Sequence, residues 1–333
     1  FLVADEAGLG KTMVARGLLA KAIDYLWDSV KRIDVVYICS NTDIARQNIK
    51  SLNLSEQEDI GFASRITLLP IYLNSLKDRK LNFVSFTPGT SFDMKSNMGM
   101  AEERRLLYWM LREGWKFGNK KGPQNVMQGY VTNADWWEGY LIKKPKYDPN
   151  LCDKFIDCLN KFDEEEMKVG RKSVRERFDA LSDFLFRSDR RIDKDVSLER
   201  NRVIGMLRKI LARTCINLLE PDIVILDEFQ RFKNLLSDED EAGQLAQELF
   251  NYADEHYKAR ILLLSATPYK MYTQYNDQDD DHYKDFIDTV AFLEKNNTTE
   301  IESLLKEFRR ELFRCHDGDF KKLVDIKSQL EKR

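Results

Sequence analysis

The sequence predicts an α/β protein: a doubly wound, mostly parallel sheet interrupted by a helical insertion. Three observations predict it. Short, nearly all-apolar runs recur along the chain and suit strands covered on both faces. Segments of helical periodicity alternate with them, as right-handed crossovers require. The alternation then breaks between about Ser96 and Arg213, where the pattern is helical and charged.

The candidate strands are Leu2–Ala4, Val35–Cys39, Ile66–Leu69, Asn82–Phe86, Ile223–Leu226 and Ile261–Leu264, with crossover helices at Lys11–Asp28 and Thr42–Leu52. Inside the break, helices are expected at Ala101–Trp115, Leu151–Lys168, Val174–Phe186 and Leu198–Leu211. Between the first two, Lys116–Asn150 is rich in Gly, Asn, Pro and Lys and reads as loop, anchored by Trp136-Trp137. Beyond Ser265 the chain turns polar. Asp277–His282 reads as a solvated acidic loop, followed by amphipathic helices near Tyr283–Glu294 and Glu300–Phe313 and a third toward the end. The implied division is 1–95 and 214–275 for the two parts of the sheet domain, 96–213 for the insertion and 276–333 for a helical extension. The alternative for 96–213 is a small helical domain of its own.

With 333 residues, 43% of them hydrophobic and 33% charged, the chain can bury a large core and lies outside the disordered class. No run of about 18 apolar residues predicts a membrane span. The opening Phe1-Leu2-Val3-Ala4 has neither a starting Met nor the basic flank of a signal peptide. It reads as the middle of a buried strand, so a longer parent protein is expected. Five cysteines without CxxC spacing and three histidines without ligand spacing argue against zinc and for the cytoplasm. A net charge of −3 excludes a basic nucleic-acid glue, but not a local phosphate-gripping strip.

The chemistry concentrates in three motifs. Ala4-Asp5-Glu6-Ala7-Gly8-Leu9-Gly10-Lys11-Thr12 follows an apolar strand and opens a helix, the context of a phosphate-binding loop. Gly8 and Gly10 permit a tight backbone, and amides of the loop through Leu9 and of the helix start face the anion. Lys11 reaches the β/γ-phosphates, and the Thr12 hydroxyl joins a Mg²⁺ shell. Asp5 stands where the common GxxxxGK[ST] pattern has its first Gly. The second motif, Pro221–Gln230, is a buried strand ending in two acids. Asp227 is suited to the Mg²⁺ shell, and Glu228 to orienting and deprotonating a water. The third, Arg260–Pro268, ends a strand in Ser265-Ala266-Thr267. After the first two motifs these small residues read as a relay from the γ-phosphate region to the nucleic-acid face, with Ser265 and Thr267 expected to hydrogen-bond to Gln230 or Glu228. A triphosphate with its Mg²⁺ is therefore expected between Lys11 and Asp227.

Together Asp5–Thr12, Ile225–Gln230 and Leu264–Pro268 resemble motifs I, II and III of superfamily 2 helicases. The Asp-Glu-x-Gly-Leu-Gly-Lys-Thr form is similar to the Swi/Snf-type translocases. The layout also resembles bacterial RNA-polymerase-recycling ATPases and helicase-like proteins of restriction and phage-defence loci. The match covers 1–90 and 215–275. It implies a RecA-like P-loop NTPase fold, ATP and Mg²⁺ as cofactors, and a nucleic-acid track, with double-stranded DNA favoured. Phe229 and Gln230 depart from the DEAD and DEAH endings, which leaves DNA against RNA open. By position, Tyr37–Thr42 with Gln47 resembles motif Ia. Phe86–Thr90 falls where such motors meet the sugar-phosphate backbone. Ser40, Asn41, Thr87 and Gly89 offer donors for phosphate contacts, or else serve as turn and capping residues. The resemblance further implies a downstream second RecA-like domain with an arginine finger. Without it, slow turnover is expected.

In the insertion, Trp109, Trp115, Trp136 and Trp137 lie near Arg104, Arg105, Lys116, Lys120, Lys121, Lys143 and Lys144. They read either as a helical core with a solvated surface or as a stacking clamp for a strand. Two functions follow: an ATP-driven translocase on DNA, or a nucleotide-gated assembly module that docks a nuclease or polymerase partner.

Overall fold

The computed structural model describes residues 1–4, 10–52, 61–62, 65–71, 79–94, 96–118, 121–187, 193–253, 257–265, 282–294, 298–314 and 320–331. Five strands pair in parallel in the order β6-β5-β2-β4-β3: β2 is Ile33–Ile38, β3 Gly61–Phe62, β4 Leu81–Phe86, β5 Ile223–Asp227 and β6 Arg260–Ser265. The register runs Val35↔Ile223 between β2 and β5, Val35↔Phe83 between β2 and β4, and Ile223↔Arg260 between β5 and β6. Every residue of β2 is buried, as a central strand of a parallel sheet requires.

The chain folds as two compact units, Thr12–Leu264 and Phe1–Lys11 with Ser265–Arg333. The first contains the paired strands and most helices. Helix α1 (Lys11–Trp27) begins at the boundary and buries Ala15, Leu19, Ile23 and Leu26, one helical stripe. Helix α2 (Thr42–Leu52) buries Ala45, Ile49 and Leu52. The short α3 (Pro88–Ser91) follows β4.

Between α3 and β5 the described residues form six further helices: α4 (Ala101–Trp115), α5 (Lys121–Gln128), α6 (Ala134–Ile142), α7 (Pro149–Lys168), α8 (Val174–Arg187) and α9 (Lys194–Leu219). Helix α9 outruns the expected Leu198–Leu211. Asp193 caps its start by accepting from Val196 N at 2.8 Å, and Glu220 ends it in the left-handed region at φ 48°.

Two readings of the sequence fail. Ile66–Leu69 is not a strand: Ile66–Leu68 form a 3₁₀ turn whose side chains are all buried. A short apolar run looks alike in a buried strand and a buried turn. Here the Thr67 hydroxyl donates to Glu103 Oε1 at 2.5 Å, fixing the turn against α4. Nor is Lys116–Asn150 a continuous loop, since it holds α5 and α6. Pro123 sits in the first turn of α5, where no backbone N–H is needed. Gly122 is a packing residue, because a Cβ there would meet Ser182 O of α8 at 2.3 Å. Asn133 caps α6 by accepting from Trp136 N at 2.9 Å. Of the tryptophan pair, Trp137 is 1% exposed and Trp136 is 49% exposed.

Helix α10 (Glu241–Phe250) lies between β5 and β6. Among the described residues the second unit carries β1 (Leu2–Ala4) and three helices, α11 (His282–Leu293), α12 (Thr299–Arg314) and α13 (Lys321–Glu331). Val290, Ile301 and Leu305 form its small core, with Ile287 and Leu330 against it. The acidic run expected as a loop lies outside the described residues except His282, which opens α11. No described helix is long and apolar enough to cross a membrane.

Candidate functional site

The carboxyl ends of β2, β4 and β5 meet at one edge of the sheet. Beyond β2 the chain leaves toward β3 and β4, and beyond β5 it leaves toward β6 on the other side. The strand order therefore reverses between β2 and β5. In open parallel sheets such a reversal leaves a crevice at the carboxyl edge where ligands bind.

Asp227, the last residue of β5, stands at this crevice. Its Oδ2 accepts hydrogen bonds from the Tyr37 hydroxyl of β2 and from Asn48 Nδ2 of α2, the latter at 2.9 Å. Asn48 Nδ2 also reaches the Tyr37 oxygen at 3.0 Å. Burial, reinforced by the Asp227 carboxylate, pushes the Tyr37 phenol well above its usual range, so it stays a donor. Two neutral donors thus hold one oxygen of Asp227. Among the described residues nothing donates to Oδ1.

Glu228 turns the chain sharply. Its backbone is left-handed, φ 54° and ψ 41°, and its N–H is fixed to Leu264 O of β6 at 2.9 Å. A non-glycine residue held there costs about 1–2 kcal/mol. Two short 3₁₀ turns follow across Phe229–Leu236, broken at Phe232 (φ −144°, ψ 46°), with Phe229, Phe232 and Leu235 buried. Arg231, one turn on, pairs with Glu228 Oε2 at 2.9 Å. Gln230 Oε1 is buried and accepts no hydrogen bond among the described residues.

Of the first motif, Gly8 and Leu9 lie outside the described residues, with Asp5, Glu6 and Ala7. Gly10 has φ 88°, a conformation that L side chains rarely adopt, and Lys11 and Thr12 open α1. No acidic residue occupies the first turn of α1 itself. Of the third motif, Ser265 closes β6 and is 5% exposed, while Ala266, Thr267 and Pro268 lie outside the described residues.

Ser40 and Gly89 line one cleft of about 650 Å³ at the carboxyl edge, shared with Arg231, Asn97 and Asn234. Asn41 and Thr87 flank it. Asn41 Oδ1 accepts from Asp43 N at 2.7 Å, which caps α2. The Thr87 hydroxyl lies 3.3 Å from the Thr42 hydroxyl, and its N–H donates to Ser91 Oγ at 3.0 Å. Among the described residues no group of three His, Cys, Asp or Glu gathers to hold a metal by itself.

Sequence reasoning missed Tyr37, Asn48 and Arg231. Arg231 carried a readable signal, three residues after an acid on a turn. Tyr37 and Asn48 carried none, since only the β2–β5 pairing brings them to Asp227. In the insertion, Trp115 and Trp137 are buried, and Trp109 Nε1 donates to Leu141 O at 2.9 Å, as the helical-core reading requires. No known protein family, curated protein or solved structure matches the chain.

Proposed function

We propose that the chain is the nucleotide-binding half of a nucleic-acid-stimulated ATPase. Its sheet would be RecA-like, of superfamily 2 type, working in translocation or remodelling on double-stranded DNA. The observation that carries this reading is the pair Asp227-Glu228 at the carboxyl edge. One acid has an oxygen anchored by neutral donors and the other without a donor among the described residues, and the next acid is turned out of the strand by a left-handed backbone.

Lys11 and Thr12 are assigned to the triphosphate, with Gly10 and the amides opening α1. Asp227 is assigned to the metal shell, and a single carboxylate suits Mg²⁺, which takes one or two carboxylates with substrate phosphates and water. When bound, the ion neutralises charge building on the phosphates. Glu228 orients the attacking water and takes its proton. Gln230, with its orphan acceptor, couples hydrolysis to the Ser265–Thr267 segment. Ser40, Asn41, Thr87 and Gly89 are assigned to the nucleic-acid backbone.

A second reading, a nucleotide-gated module docking a nuclease or polymerase, is favoured by Asp93, Asp240 and Glu241 on the rim of the cleft. Stimulation separates the two. ATP turnover by the protein should rise with duplex DNA and vanish in Glu228→Gln. Turnover that rises only with a protein partner would favour the module, and turnover unchanged in Glu228→Gln would refute the assignment of the water-activating residue.

A further inference from the structure

The ion pair between Glu228 and Arg231 joins the two functions of this edge. We infer that Arg231 is a latch: with the cleft empty it holds the Glu228 carboxylate, and a backbone phosphate entering the cleft draws Arg231 away and frees Glu228 for water. This rests on the ATPase reading above and supplies the means by which nucleic acid stimulates it.

Three observations carry the inference. Arg231 Nε lies 2.9 Å from Glu228 Oε2. A carboxylate oxygen held by a guanidinium is not free to accept a hydrogen bond from water, so the pair opposes the role assigned to Glu228. Arg231 also lines the cleft that holds Ser40 and Gly89, so one side chain faces both places. Its side chain is 61% exposed, so the bond is a surface pair that a competing anion can break.

Among the described residues that line the cleft Arg231 is the single cation, and the acids there hold other partners. Glu241 pairs with Lys209, Asp93 Oδ2 lies 3.6 Å from Arg65, and Asp240 Oδ1 accepts from Gly243 N at 2.7 Å. A phosphate entering the cleft therefore meets Arg231 as its partner. Bidentate geometry makes guanidinium–phosphate pairing competitive with guanidinium–carboxylate pairing.

Linkage makes the latch measurable without turnover, because whatever opens the pair also favours nucleic acid. Duplex DNA binding is measured without nucleotide on the wild type, Glu228→Ala, Arg231→Ala and the double variant. Glu228→Ala should bind roughly 2–5-fold more tightly, the fold-change expected for releasing an exposed ion pair. Arg231→Ala should bind more weakly, with its salt slope reduced by about 1. The double variant should match Arg231→Ala. In turnover, Arg231→Ala should raise the DNA-free rate and bring the stimulation by DNA close to none, while Arg231→Lys keeps it.

A gain in Glu228→Ala that persists in the double variant reflects removal of a negative charge and overturns the latch. So does an unchanged DNA-free rate in Arg231→Ala with stimulation intact. A wild type that never turns over ATP removes the ATPase reading itself, whatever the binding data show, and the latch falls with it.

Discussion

Asn48 donates to the same oxygen of Asp227 that the Tyr37 hydroxyl reaches, at 2.9 Å from α2. Two consecutive elements, both far in sequence from β5, thereby fix the rotamer of the acid at its end. Anchoring through Oδ2 leaves Oδ1 without a donor among the described residues. In metal sites such outer partners set ligand orientation, and their loss typically weakens the metal by about 10–100-fold. Tyr37→Phe should raise the Mg²⁺ concentration needed for half-maximal ATP turnover by roughly 10-fold while leaving DNA affinity unchanged. A Mg²⁺ titration at saturating ATP checks it.

Glu228→Gln keeps the size of the side chain and removes its basicity. Loss of a positioned general base costs about 10²–10⁴ in rate. Turnover should fall by that factor with ATP affinity retained, since no phosphate contact is assigned to Glu228. Single-turnover kinetics beside equilibrium binding of labelled ATP separate the two effects.

Glu103 and Arg208 form a fully buried ion pair, 0% and 1% exposed, at 2.9 Å. Arg208 also donates to Ser96 O and to Asp93 O, and Glu103 accepts from Met100 N at 2.6 Å. The pair thus ties α4 and α9 to the segment leaving the sheet. Removing Arg208 leaves the buried Glu103 with only the longer contact to Arg65, at 3.7 Å, and breaking a buried pair costs about 3–5 kcal/mol. Arg208→Met should destabilise by up to that amount in chemical denaturation, and adding Glu103→Leu should not restore stability, because the Thr67 hydroxyl and Met100 N then lose their acceptor.

At the opposite, amino edge of the sheet, burial pushes the Asp34 carboxyl up to about 7, against Arg32 and the Asn82 amide. Asp222 alongside is raised by burial as well. A carboxyl whose folded pKa exceeds its unfolded value binds its proton more tightly in the fold. It therefore contributes stability at acid pH that is lost as pH rises from about 4 through about 7. The slope is at most ~1.4 kcal/mol per pH unit for one such group. Thermal unfolding across this window should show stability falling toward neutral pH, and Asp34→Asn should flatten the fall.

The strands were legible where they are apolar and bounded by polar residues. Leu2–Ala4 appears as read, and the other four recognised strands differ by only one or two residues at an end. Gly61–Phe62 is too short to carry a period. Ile66–Leu68 carries the right composition but the wrong conformation, because burial alone does not distinguish a turn from a strand. In Lys116–Asn150 the glycine and prolines point to loop by frequency. Gly122 is there because α5 and α8 approach closely, a fact of tertiary packing. At the candidate site the acids were visible as a strand-end pair. The neutral donors that orient one of them, and the arginine that restrains the other, depend on which strands are neighbours and how the chain turns at Glu228.

The central claim is that Lys11 and Asp227 serve one ATP·Mg²⁺. Calorimetric titration of ATP, with and without Mg²⁺, into the wild type, Lys11→Ala, Asp227→Ala and the double variant tests it most directly. Charge-assisted contacts of this kind contribute about 1.5–3 kcal/mol, roughly 10–100-fold in affinity. The expected result is Mg²⁺-dependent binding that each single variant weakens by that factor, with the double variant less than additive because both side chains act on one ligand. Wild-type affinity for ATP·Mg²⁺ in both single variants would contradict the claim.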